Sequence, residues 1–67
     1  MKQIIIDALT SGKIVRFYFT SEKSYSANEL LDRMEQFPDQ IYVGQSRYDQ
    51  DSVVNLNQVT HVKIVKS

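Results

Sequence analysis

His61 is the only histidine in a chain that has no cysteine, and this removes most of the chemistry open to a small protein. A zinc site needs several Cys or His ligands, and the sequence supplies one. As a lone imidazole, His61 could act as a general base toward one of the serines. No nucleophile elbow or oxyanion motif accompanies it, so the sequence reads it as a surface-facing strand residue between Thr60 and Val62. Gly12-Lys13 resembles the end of a phosphate-binding loop. That loop needs a glycine five residues before Gly12 and a hydroxyl after the lysine, where this chain has Asp7 and Ile14. An EF-hand loop beginning at Asp49 would include Asp51, but Val53 and Val54 stand where an oxygen ligand and the turn glycine belong. Asp49 and Asp51 otherwise flank a polar turn, where aspartate serves turn geometry. The expectation is a protein that is not an enzyme and holds neither metal nor cofactor.

Binding is the remaining class. Arg16, Tyr18, Arg47 and Tyr48, joined by Tyr42, form the group that least resembles core. Arginine and tyrosine combine contact area with directed hydrogen bonds and are enriched where protein interfaces concentrate their energy. The same types could stack the bases of a single strand, with Arg16 and Arg47 on phosphates. The plain alternative is that Tyr18 and Tyr42 cover a sheet edge, hydroxyls in water, and the arginines pair with nearby carboxylates. Exposed strand edges offer one more route, pairing with a second copy or a partner peptide.

Size and charge bound these readings. Sixty-seven residues make one domain, spanning 1–67, that buries only about 60% of the surface of its unfolded chain. Without disulfides, it must rely on good packing or on a partner chain. Apolar content of 42% and charged content of 24% suit a globular domain rather than a disordered one. Eight basic and eight acidic residues cancel, so a basic face of the kind phosphate contacts require must be offset by an acidic one. No stretch approaches the roughly 20 apolar residues of a membrane span, and the run Ile4-Ile5-Ile6 is too short for a signal sequence. The expected location is the cytoplasm, with no membrane association.

Elements must hold these residues in place. Ser26 and Glu29 have the spacing of a capping box, and Tyr25 and Leu30 that of a hydrophobic staple. Ala27, Leu30, Leu31, Met34 and Phe37 recur at helical spacing, Glu29 and Arg33 are an i,i+4 pair, and Pro38 ends the run. The pattern predicts a capped helix over 27–36. Lys13 to Thr20 alternates as a strand, with Val15, Phe17 and Phe19 facing the core and Ile14, Arg16 and Tyr18 on the other face. Gln40 to Gly44, Ser52 to Leu56 and Thr60 to Lys66 read as further strands. Residues 46–51 form a hairpin connection and Asn57-Gln58 a tight turn. In the N-terminal segment the three isoleucines favour a strand, whereas Ile5, Ala8 and Leu9 sit at helical spacing before Gly12. That glycine ending tips the reading toward a short helix.

Read with that helix, Ala8 through Tyr18 resembles the start of a WYL-type domain, in which a short helix ending in glycine leads into an apolar first strand. Ile41-Tyr42-Val43 sits where that family has its Trp-Tyr-Leu triplet. Leu56-Asn57-Gln58-Val59 resembles its turn before the last strand. The resemblance implies an Sm-like or SH3-like small β-barrel with a ligand- or nucleic-acid-sensing role.

The expected fold is α+β: a small twisted antiparallel sheet, or a partly closed SH3/Sm-like barrel, of four to five strands with the capped helix 27–36 and a short N-terminal helix. Its expected core is Val15, Phe17, Phe19, Leu30, Leu31, Met34, Phe37, Ile41, Val43, Val54, Leu56, Val62 and Ile64. The favoured function is a small non-enzymatic module that binds a protein partner as a regulator or inhibitor, or associates with itself as a homodimer. The alternative is a single-stranded nucleic-acid or nucleotide binder.

Overall fold

The computed structural model describes residues 1–48 and 50–66. Helix α1 (Lys2–Thr10) leads into β1 (Ile14–Phe19), β2 (Ser24–Ala27), β3 (Glu29–Asp32), β4 (Gln40–Gln45) and β5 (Gln50–Asn55). A 3-10 turn (Leu56–Gln58) then joins β6 (Val59–Val65). The strands make two antiparallel three-stranded sheets, a first ordered β2-β1-β6 and a second ordered β3-β4-β5. The fold is α+β, as the sequence suggested.

The N-terminal segment is helical because its ending is a helix ending. Gly12 donates to Leu9 O at 3.2 Å and Lys13 to Ala8 O at 3.0 Å, the paired bonds of a Schellman motif. Gly12 sits at φ +80°, a conformation that a side chain at that position would oppose. The helix turns Ile5, Ile6, Ala8 and Leu9 inward, onto β1 and β3. Isoleucine's preference for strands is overridden because the same four positions complete the core.

The expected helix over 27–36 does not form. Ser24–Ala27 pairs with β1 and Glu29–Asp32 with β4, and Asn28 joins the two strands. Asn28 N–H donates to Gly44 O, while its side-chain amide donates to Ser46 Oγ and accepts from Ser46 N. The residues of the supposed capping box and staple have other partners. Ser26 Oγ accepts from Arg16 Nε and Ser26 O from Gln45 Nε2, while Tyr25 stacks on Phe17 with ring centroids 6.4 Å apart. A ten-residue helix is marginal alone, and two ladders plus an inward Tyr25 and Ala27 outweigh its local signals. Beyond β3 the chain turns at Met34, which adopts φ +52° with its N–H bonded to Asp32 Oδ1. Lys2 Nζ donates to Met34 O and Phe37 O, both at 3.0 Å, and so ties this turn to α1.

This geometry makes an opposite forecast from a helix. Met34→Gly removes a strained left-handed residue and should change stability by less than about 1 kcal/mol, with stabilisation within range. In a helix the same change would cost about 1 kcal/mol in propensity alone, before lost packing. Urea unfolding followed by circular dichroism separates the two.

The sheets are not closed into a barrel. Among the described residues no ladder joins β6 to β3 or β5; the strands number six rather than the expected four to five, and the chain passes between sheets at Asn28 and at the 3-10 turn. The inner faces share one core of Val15, Phe17, Ala27, Ile41, Val43, Val54 and Val59 with the four helix residues, and Phe19, Tyr25, Leu30, Leu56 and Val62 pack partly against it. Four expected core residues lie outside it: Leu31, Phe37 and Ile64 are 42%, 50% and 43% exposed, and Met34 is only half-buried and not part of the cluster. Leu31 sits where the β3–β4 register shifts, and Phe37 lies in the loop that replaces the helix.

Candidate functional site

The strand period decides which side chains remain free. Val15 and Phe17 point inward from β1, so Ile14, Arg16 and Tyr18 point outward, and antiparallel register lines up their neighbours. Arg16 stands between Ser26 on β2 and Lys63 on β6, and Tyr18 between Ser24 and His61. On this outer face the Tyr18 and His61 rings stack at 4.4 Å and 7°, with Lys63 Nζ 5.6 Å from the Tyr18 centroid. The His61 ring also meets Thr60 Oγ1, 3.0 Å from Nδ1. An exposed imidazole stacked on a tyrosine fits the surface-strand reading.

At the β2 edge an open cleft runs between Arg16, Ser26 and the β4–β5 hairpin, with Gln45, Tyr48 and Gln50 along its far side. Tyr25 Oη donates across it to Gln50 O at 3.2 Å. Tyr48 is 62% exposed, and the Arg47 guanidinium lies 5.9 Å from its ring centroid. Four of the five residues singled out in sequence therefore lie along one side: Arg16 and Tyr18 on the face, Arg47 and Tyr48 at its rim. The hairpin turn covers residues 46–48; Asp49 lies outside the described residues.

Tyr42 stands apart. Ile41 and Val43 point inward from β4, so Tyr42 and Gly44 face outward from the second sheet. The register sets Tyr42 between Asp32 and Val53, and Gly44 between Glu29 and Asp51. A Cβ on Gly44 would meet Asp51 Oδ1 and Leu31 Cδ1, which locates both side chains over that glycine. Leu31 and the 54%-exposed Val53 thus form, with Tyr42, an apolar centre rimmed by three carboxylates.

The charges segregate. Strands β1, β2 and β6 carry Arg16 and Lys63 and no acidic residue; β3, β4 and β5 carry Glu29, Asp32 and Asp51 and no basic one. Counted with their flanks, residues 13–27 and 59–66 hold five basic side chains and one acidic, and the rest of the sequence holds three basic and seven acidic. A net charge of zero is here a surplus of four positive charges balanced by four negative ones elsewhere. Lys63 and Asp32 were not singled out in sequence, and Glu29 and Asp51 were read only as a helix cap and a turn residue. The available signal was the sign of the charge on each strand, which has meaning only once the sheet order is known.

Among the described residues no three His, Cys, Asp or Glu side chains are grouped to hold a metal ion, and no helix is long and apolar enough to cross a membrane. No family model, curated protein or solved structure matches this chain.

Proposed function

We propose that this protein is a non-catalytic module that binds a protein partner through its charged outer sheet faces. The supporting observation is the sorting of charge by sheet, with each sign placed around exposed apolar or aromatic side chains. An apolar or aromatic centre within a polar rim is the usual anatomy of a protein interface, and complementary potentials steer encounter and select partners. Tyr18, Tyr48 and Arg16 on one side, and Tyr42 on the other, are the anchor types expected at such surfaces.

Affinity capture from a native lysate at low salt tests this reading. The expected result is one stoichiometric protein, lost with Arg16→Glu/Lys63→Glu or with Glu29→Lys/Asp32→Lys. Recovery of nothing, or equal recovery by both variants and the wild type, contradicts it.

A second reading has its own support in the Arg16–Tyr48 cleft with Arg47 beside it. That arrangement suits a single-stranded nucleic acid, with bases on Tyr48 and phosphates on the arginines, in line with the sensing role that the WYL-type resemblance implies. Oligonucleotide affinity would then fall with salt at a slope of about −0.7 per phosphate neutralised and vanish in Arg16→Ala/Arg47→Ala. Absence of binding at low salt disposes of it.

A further inference from the structure

We propose that one partner for these faces is a second copy of the same chain, the basic outer face of one molecule docking head to tail on the acidic outer face of the next. This rests on the reading of both faces as docking surfaces and names the occupant. Charge complementarity within a single molecule supports it. The register partners of Arg16 and Lys63 on the first sheet include no acidic residue, and those of Glu29, Asp32 and Asp51 on the second include no basic one.

The two faces look away from the core that both sheets share, so one molecule can use both at once without contacting itself. The contact is heterologous, because the two surfaces that meet are different. Such contacts propagate into chains or close into rings rather than stopping at a symmetric pair.

Strength follows from size. The body measures 27 × 25 × 21 Å, so a face provides at best the area of a modest interface, for which about 800 Å² per partner is usual. Association is therefore weak, concentration-dependent and largely electrostatic. At 0.01 M salt the Debye length is about 30 Å, longer than the molecule, and at 1 M it is about 3 Å. The field that aligns the copies is present in the first condition and absent in the second.

Sedimentation velocity of the full chain at rising concentration, in 0.01 M and in 1 M salt, reads this directly. The expected result is an average mass that climbs to multiples of 7.8 kDa at low salt and returns to the single-chain value at high salt. Two variants give the decisive arm. Arg16→Glu/Lys63→Glu has two acidic faces and Glu29→Lys/Asp32→Lys two basic ones, so each alone should be monomeric and an equimolar mixture should associate.

Self-docking is overturned by a wild type monomeric at low salt, by association that persists at 1 M salt, or by either variant associating alone as the wild type does. If a variant does not fold by circular dichroism, the wild-type salt comparison decides by itself. A chain that is monomeric yet retrieves another protein through Arg16 and Lys63 loses only the second-copy proposal and keeps the protein-binding one.

Discussion

Phe17→Ala is expected to lower the free energy of unfolding by about 3–5 kcal/mol, enough to leave much of the chain unfolded at room temperature. Phe17 is completely buried and lies between Phe19 and Tyr25, with ring centroids 6.4 Å from each. Removing it deletes the largest side chain of the core and leaves a cavity bounded by strand backbone that cannot collapse. A domain of this length has roughly 3–10 kcal/mol in total, at about 0.05–0.15 per residue. Urea unfolding followed by near- and far-ultraviolet circular dichroism checks the value. A loss below about 1 kcal/mol would mean that the core is not centred on β1.

Ile5→Ala is expected to cost about 2–5 kcal/mol, although it lies in a helix at the end of the chain. Ile5 is fully buried whereas its neighbour Ile4 is 57% exposed. Ile4→Ala therefore serves as a control that should shift stability by no more than about 0.5 kcal/mol. The two substitutions remove the same atoms from adjacent residues, so a difference between them measures the docking of α1 and nothing else. Equal effects would show that α1 is not packed on the sheets as described.

The contrast between α1 and the 27–36 segment shows what the sequence could convey. Gly12 marked a helix end, and the structure uses it as one, because a left-handed residue after a helix is a local requirement met by local chemistry. Strands β1 and β6 were legible for the same reason, since alternation along a strand is a local pattern with few competing explanations, and β4 from its short run of Ile41, Tyr42 and Val43 before Gly44. Segment 27–36 carried equally good local signals for a helix, but β1 and β4 offered ladder partners on either side of Asn28. Those partners are distant in sequence and leave no trace in the segment's own spacing. One sign was present: Ser24-Tyr25-Ser26-Ala27 alternates polar and apolar residues, and Tyr25 and Ala27 are the ones that turn inward. The helical reading of Leu31, Met34 and Phe37 as core failed with the helix itself.

The candidate surface was legible in its residue types and not in its grouping. Arg16 and Tyr18 share a face because they are two apart on a strand, which spacing alone predicts. Their approach to Lys63, His61 and Tyr48 depends on which strands neighbour β1 and on where the β4–β5 hairpin falls. Tyr42 was grouped with them on residue type, and the sheet topology puts it among carboxylates instead.

Buried apolar side chains hold the fold, and we propose that the charged outer faces stay available for partners. The most direct test is urea unfolding of the charge-neutralised variant Arg16→Gln/Lys63→Gln/Asp32→Asn/Asp51→Asn, beside the wild type in the same buffer. All four positions are exposed, and each should contribute within about 0.5 kcal/mol. The expected total change is below about 1 kcal/mol, with partner capture abolished. A loss of more than about 2 kcal/mol, or undiminished capture by the folded variant, would contradict it.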